Sequence, residues 1–173
     1  MSQVFIAVGS NIAPEANVRS ALLRLSRHVH ICAISTFFQT EPQERPEQPP
    51  YLNGVVEAET AMSPQELKFN VLRHIETELG RQRNDDRYAA RPIDLDLILY
   101  NDLVINTEQL TLPDPDIPQR AFLAIPIHEL APELILPGTR EPIRHVAERL
   151  STATMIPLPE YSAHLREEIC HES

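Results

Sequence analysis

Two carboxylates, Asp94 and Asp96, lie in the apolar stretch ARPIDLDLILY (residues 90–100). Residues two apart on a strand share a face, and a rise of ~3.3 Å per residue puts these side chains roughly 6–7 Å apart. Two like charges repel and are costly to bury unless a cation relieves them. The pair suits magnesium, which commonly binds one or two carboxylates together with phosphate oxygens and water. The alternative is an exposed polar face that is neutralised by nearby arginines.

Four arginines lie shortly before Asp94, in the stretch RQRNDDRYAAR: Arg81, Arg83, Arg87 and Arg91. Arginine recognises phosphate oxygens through paired, planar hydrogen bonds. Taken alone, this segment is better explained as a charged surface loop that is balanced by its own aspartates, Asp85 and Asp86. Next to a possible magnesium pair, however, it predicts a polyphosphate ligand whose charge is neutralised by both the metal and the arginines.

A third group of residues has the chemistry to hold a flat heterocycle. Tyr51 and Asn53 share one face of a predicted strand, and Phe122 follows Arg120 in the stretch QRAF. Two aromatic rings can sandwich a planar ligand while an amide, which both donates and accepts hydrogen bonds, reads its edge. The alternative is that Tyr51 and Phe122 belong to the hydrophobic core.

Alternation of apolar residues and helix-capping signals predicts the elements that hold these residues. Strands are expected from Val4, over residues 31–40, from Tyr51 and over residues 93–100; helices are expected from Pro14, from the capping box at Ser63 to Gly80, and over residues 119–130. Asn101 and Asp102 predict a tight turn into a hairpin with LVIN. This β-α-β-β-α-β order is typical of an α+β, ferredoxin-like fold with a β-hairpin and a C-terminal helical extension. We expect one domain over residues 1–150 and an extension or tail over residues 151–173.

Composition excludes several classes of function. A formal net charge of −10 argues against broad binding to nucleic acid or to an anionic membrane. No apolar run approaches the length of a membrane span, and the N-terminus lacks a secretory signal. Two distant cysteines, Cys32 and Cys170, predict reduced thiols and a cytoplasmic protein. There is no G-x-x-x-x-G-K-[ST] loop, so any nucleotide is held by another arrangement.

Together these segments resemble one family, the hydroxymethyl-dihydropterin pyrophosphokinases of folate biosynthesis. The resemblance extends from the first strand to about Leu150 and rests on the motifs FIAVGSN, TEP…PPYLN, IETELGRQR, RPIDLDLILY and LTLPDPDIPQRAF followed by PIHELAPEL. It implies transfer of pyrophosphate from ATP to the hydroxymethyl group of a reduced pterin, which releases AMP. We also expect a monomer that acts on small-molecule substrates.

The resemblance further implies a role for individual residues. Asp94 and Asp96 correspond to the ligands of two Mg²⁺ ions. Phosphate-site and catalytic-loop arginines correspond to Arg81, Arg83 and Arg91. The other positions of the ATP site are Glu76, Tyr88, Ile98 and Arg120. The pterin pocket corresponds to Thr40, Gln43, Tyr51, Asn53 and Phe122, with Gln43 contributing its backbone.

The sequence also departs from the family pattern. Asp114 and Pro115 stand where the family commonly has a histidine and often an aromatic residue, and Tyr88 replaces a frequent tryptophan. A carboxylate at position 114 would repel ATP unless it points away. Two other functions therefore remain open: a ferredoxin-like binding module with weakened catalysis, or a magnesium-dependent phosphoryl transferase with another acceptor.

Overall fold

The computed structural model describes residues 1–41, 47–82 and 90–170 as a mixed α/β fold built on an antiparallel sheet. The strands are β1 (Ser2–Ser10), β2 (His30–Ile34), β3 (Phe38–Thr40), β4 (Tyr51–Thr60), β5 (Asp94–Tyr100), β6 (Ile105–Asn106), β7 (Thr111–Leu112) and β8 (Met155–Pro157). The helices are α1 (Pro14–Leu25), α2 (Pro64–Glu66), a π-helical segment (Leu67–Leu72), α3 (Arg73–Glu78), α4 (Ala121–Leu130), α5 (Ile143–Arg149) and α6 (Pro159–Ile169).

The main sheet has the strand order β5-β1-β4-β3-β8, and β2 also pairs with β4. Alternating residues of β1 divide between two hydrophobic clusters: Val4, Ile6 and Val8 pack on one face, and Phe5 packs on the other. The first cluster includes residues of α1, α3 and α6, and the second includes residues of α4 and α5. Helices therefore cover both faces of the sheet. None of the helices in the described ranges combines the length and apolar character that a membrane crossing requires.

The predicted strand over residues 31–40 forms two strands, β2 and β3, which pair with successive parts of β4. The break lies at residues 35–37. There the Ser35 hydroxyl accepts a hydrogen bond from the Val55 amide at 2.9 Å, and the Thr36 amide donates to the Glu129 carboxylate instead of to a strand. These side-chain acceptors replace the regular ladder, so the chain shifts between its two pairings.

The helical stretch that begins at Pro64 has the predicted start and end. Ser63 and Glu66 form the capping box, and Gly80 has a φ of +91° after α3, a conformation that favours glycine. Its middle, Leu67–Leu72, is π-helical, a feature that the regular spacing of apolar residues did not indicate.

The predicted hairpin of β5 with LVIN is wrong. Asn101 does make the turn, with a φ of 48°, but β6 pairs with β7. The turn is instead joined to β1, because the Gln3 amide donates to Asn101 Oδ1 and the Asn101 amide donates to the Gln3 carbonyl, both at 2.8 Å. This attachment directs the chain away from β5.

Residues beyond Ser151 form β8 and α6. Strand β8 extends the sheet beside β3, and Leu165 of α6 is buried in the first hydrophobic cluster. Cys32 and Cys170 are free thiols.

We expect Gly54→Ala to lower the free energy of unfolding by about 2 kcal/mol, because overpacking a core forces neighbouring side chains to move. A Cβ at this position would come within 2.6–2.7 Å of the fully buried ring of Phe37. Urea denaturation measures the change. Gly9→Ala on the adjacent strand is the control, since the one close contact of its Cβ would be with the end of the Asn53 side chain. Equal stability of Gly54→Ala and wild type would contradict this packing.

Candidate functional site

A cavity of about 300 Å³ opens at one end of the sheet, where β1 ends and β4 and β5 begin. It is lined by eight of the residues that the sequence singled out: Tyr51, Asn53, Arg91, Asp94, Asp96, Ile98, Arg120 and Phe122. Gly9 at the end of β1 also lines it. The sheet therefore brings together the acidic pair, two arginines and the residues expected to hold a flat heterocycle.

Asp94 begins β5 and is held by two arginines. Its Oδ1 accepts a hydrogen bond from Arg81 Nη1 at 2.8 Å, and its Oδ2 accepts one from Arg91 Nη1 at 3.1 Å. The charge of Asp94 is thus neutralised by neighbouring arginines, as the alternative interpretation of the acidic pair proposed. Both contacts involve groups that also suit phosphate, so an incoming polyphosphate would compete with Asp94 for the two guanidinium groups.

Asp96 faces the same way as Asp94 but has a different environment. Its side chain is exposed, and no donor within the described residues contacts its carboxylate. Although part of the residue is exposed, atoms packed around its carboxylate and then the neighbouring carboxylates of Asp94, Glu76 and Asp114 raise the pKa of Asp96 well above its usual value. A nearby cation would offset this repulsion and favour the ionised form.

The donor set fits a divalent cation that keeps other ligands. Asp94 and Asp96 are oxygen donors on one face of a strand, and they border a cavity that Asp114 and Asp116 also line. Within the described ranges, no group of three or more histidine, cysteine, aspartate or glutamate side chains could hold a metal ion on its own. Two carboxylates that rely on substrate oxygens and water are typical of magnesium.

Glu76 lies behind the acidic pair. It is only 2% exposed, and its Oε2 accepts hydrogen bonds from Arg81 Nη1 and from the Leu95 amide, the latter at 2.9 Å. Arg81 therefore lies between two carboxylates, Glu76 and Asp94, and is itself largely buried. These contacts hold both the start of β5 and the Arg81 guanidinium beside the cavity.

Strand β4 contributes Tyr51 and Asn53 to the cavity, and Thr40 of β3 holds Asn53. Asn53 Nδ2 donates to Thr40 Oγ1 at 2.7 Å, which fixes the plane of the amide. A Cβ on Gly9 would lie 2.7 Å from Asn53 Oδ1, so glycine at position 9 allows the amide to lie against β1. Burial raises the pKa of the Tyr51 hydroxyl, despite the opposing effect of Arg91. Phe122 lies in the first turn of α4.

Seven of the residues that line the cavity were not among the predicted site residues, and three of these, Gly9, Asp114 and Asp116, bear on its chemistry. Gly9 lies in the motif FIAVGSN, but its role depends on the approach of Asn53 from another strand, which that motif does not indicate. Asp114 lines the cavity. Burial raises the pKa of its carboxyl, while a hydrogen bond from the Asp116 amide at 2.8 Å opposes the rise. The predictions for Gln43, Arg83 and Tyr88 lie outside the described residues.

Comparison with known proteins identifies relatives of this chain. Residues 5–132 match the family described as 7,8-dihydro-6-hydroxymethylpterin-pyrophosphokinase (HPPK). The chain is 36% identical over 143 residues to the 2-amino-4-hydroxy-6-hydroxymethyldihydropteridine pyrophosphokinase of Haemophilus influenzae, which covers 81% of this chain and 88% of the relative. It is 37% identical over 133 residues to the Bacillus subtilis protein of the same name, which covers 75% of this chain and 78% of the relative.

Among solved structures, the fold is similar to that of wild-type HPPK-DHPS from Plasmodium falciparum. The TM-score is 0.67 at 11% sequence identity, and the alignment covers 98% of this chain and 46% of the other. The chain thus spans about half the length of that larger protein. The likeness supports the fold alone.

Proposed function

The chain belongs to the 7,8-dihydro-6-hydroxymethylpterin-pyrophosphokinase family, and from this premise we propose that it transfers pyrophosphate from ATP to 6-hydroxymethyl-7,8-dihydropterin in folate biosynthesis. ATP is the co-substrate, and AMP and the pterin diphosphate are the products. The observation that carries the proposal is the single cavity that joins the acidic pair to Tyr51, Asn53 and Phe122.

In the proposed reaction, the hydroxymethyl oxygen of the pterin attacks the β-phosphorus of ATP. A bond from that oxygen to phosphorus forms, the bond from the β-phosphorus to the bridging oxygen breaks so that this oxygen leaves with AMP, and the hydroxyl proton is released to solvent water. Two Mg²⁺ ions, held by Asp94 and Asp96, would supply charge neutralisation for the triphosphate. Arg81 and Arg91 would exchange Asp94 for phosphate oxygens and stabilise the developing negative charge. Enclosure of the reacting groups excludes water that would compete with the pterin hydroxyl.

The pterin would lie between the rings of Tyr51 and Phe122, with Asn53 bonding its edge. Thr40 acts on the ligand through Asn53, whose amide it orients. Ile98 and Arg120 line the same cavity and remain proposed ATP contacts. Glu76 would serve the ATP site by holding Arg81, since its carboxylate contacts that guanidinium.

We further propose that the core is ferredoxin-like. The antiparallel order β5-β1-β4, continued by β2 and β3 beside β4, supports this arrangement. The proposed domain spans residues 1–150, and residues 151–173 extend it. A cytoplasmic monomer is also a proposal, which sedimentation equilibrium and cell fractionation would test.

Production of AMP tests the proposed function most simply. Purified protein with ATP, the reduced pterin and Mg²⁺ should release one AMP per pterin diphosphate, and excess EDTA should stop the reaction. Binding of pterin and ATP without AMP release would identify a binding module instead. AMP release with another acceptor, together with unchanged rates after substitution of Tyr51 and Asn53, would indicate a different transferase.

We expect Gly9→Ala to raise the KM for the pterin by about tenfold, since a displaced amide loses a hydrogen bond in a largely desolvated site. The new Cβ would lie 2.7 Å from Asn53 Oδ1 and would force the side chain away. Stability should fall by less than about 1 kcal/mol, because only the end of one side chain moves. Steady-state kinetics and urea denaturation measure both effects. An unchanged KM for the pterin would exclude Asn53 from pterin binding.

A further inference from the structure

The C-terminal segment, residues 155–170, contacts the part of the chain that leads into the proposed pterin pocket. Strand β8 pairs with β3, so that Met155 lies opposite Thr40. The Leu158 amide donates to the Phe37 carbonyl at 2.8 Å, and the Phe37 amide donates to the buried Ser162 hydroxyl, also at 2.8 Å. The C-terminal segment thus forms hydrogen bonds with both the amide and the carbonyl of Phe37.

Arg166 of α6 makes the most extensive of these connections. Its Nε donates to the Ile34 carbonyl at 2.8 Å, and its Nη2 contacts Thr36 Oγ1 and Glu129 Oε2, both at 3.4 Å. Glu129 in turn accepts hydrogen bonds from the Thr36 amide at 2.9 and 3.1 Å. One guanidinium therefore joins the C-terminal helix to the β2–β3 break and to α4.

The elements that Arg166 joins carry residues of the proposed pterin pocket or contact them. The Phe37 ring packs against Gly54, next to Asn53 on β4, and β3 carries the Thr40 hydroxyl that orients Asn53. Helix α4 carries Phe122 at its first turn. Thr40, Phe122 and Met155 together line a cavity of about 490 Å³.

We propose that Arg166 is a positioning residue for the pterin side of the active site. It fixes the β2–β3 break relative to α4, and thereby the distance between the Thr40–Asn53 pair and Phe122. The inference rests on the proposed function and assigns the C-terminal extension a part in pterin affinity. Most of the proposed ATP and metal contacts, Arg81, Asp94 and Asp96, lie outside the elements that Arg166 joins, so we expect a smaller effect on ATP binding. Arg120, the N-cap of α4, is the exception.

Arg166→Met, which keeps the side-chain stem but removes the donors, tests the proposal. We expect the KM for the pterin to rise about fivefold while the KM for ATP and kcat change by less than about twofold. Arg166→Lys, which retains one charged donor, should give an intermediate KM for the pterin. The matched control is Arg19→Met: Arg19 pairs with Glu168 of the same helix but belongs to α1, so both KM values should stay at wild type.

An unchanged KM for the pterin, or an equal rise in both KM values, would overturn the proposal. If Arg166→Met does not fold, Thr36→Val is the second test, because it removes the hydroxyl that both Arg166 and Glu129 contact. This variant must also raise the KM for the pterin more than the KM for ATP. If the wild type releases no AMP, the proposed function fails separately. In that case, fluorescence titration with the pterin tests Arg166 separately, and Arg166→Met should bind the pterin more weakly than the wild type does.

Discussion

Asp96→Asn lowers kcat by about a thousandfold, because the substitution removes an anionic ligand from the proposed magnesium site. The same change leaves the free energy of unfolding unchanged or raises it. The raised pKa of Asp96 means that its ionised carboxylate costs stability at neutral pH, and a neutral amide removes that cost. Single-turnover assays of AMP release and urea denaturation together measure this separation of activity from stability.

Asp94→Asn should differ from Asp96→Asn in its effect on stability. It should also abolish turnover, but it should lower stability, because Asp94 accepts hydrogen bonds from both Arg81 and Arg91. Asp102→Asn is the control, since this exposed aspartate follows β5 outside the cavity. Normal turnover by Asp96→Asn would show that its carboxylate binds no metal that the reaction needs.

Glu76→Ala lowers the free energy of unfolding by about 3 kcal/mol, the usual cost of removing one partner from a buried ion pair. The variant leaves the Leu95 amide without its acceptor and leaves Arg81 with Asp94 alone among the described acceptors. An Arg81 guanidinium drawn to Asp94 would also compete with the metal, so kcat should fall. Urea denaturation and AMP release measure the two effects.

Glu78→Ala on the same helix is the matched control. Glu78 pairs with Arg24 at the surface, where removal of an ion pair costs less than about 0.5 kcal/mol. If Glu76→Ala and Glu78→Ala were equally stable, the buried position of Glu76 would have no energetic role.

Much of the fold follows from local patterns. The alternation in β1 and β4, the capping box at Ser63 and the glycine at position 80 each act within a few residues, so sequence spacing alone predicts them. The placement of Asp94 and Asp96 on one face of β5 has the same origin, since it depends only on the period of a strand.

Features that depend on distant residues could not be predicted in this way. The hairpin was assigned to the wrong strand because Asn101 is held by Gln3, 98 residues away. The packing of α6 depends on Ser162 and Arg166 meeting backbone groups over 120 residues earlier. Sequence patterns carry no signal for such polar contacts, whose partners come together only when the sheet has formed.

When the triphosphate binds, we expect Asp94 to exchange its two arginines for magnesium and Asp96 to bind metal beside it. A crystal structure with Mg²⁺, a nonhydrolysable ATP analogue and the pterin tests this exchange most directly. We expect Asp94 to have left Arg81 and Arg91, both aspartates to coordinate metal, and the guanidinium groups to contact phosphate oxygens. A structure with the nucleotide bound but Asp94 still paired with both arginines, and no metal at Asp96, would contradict the account.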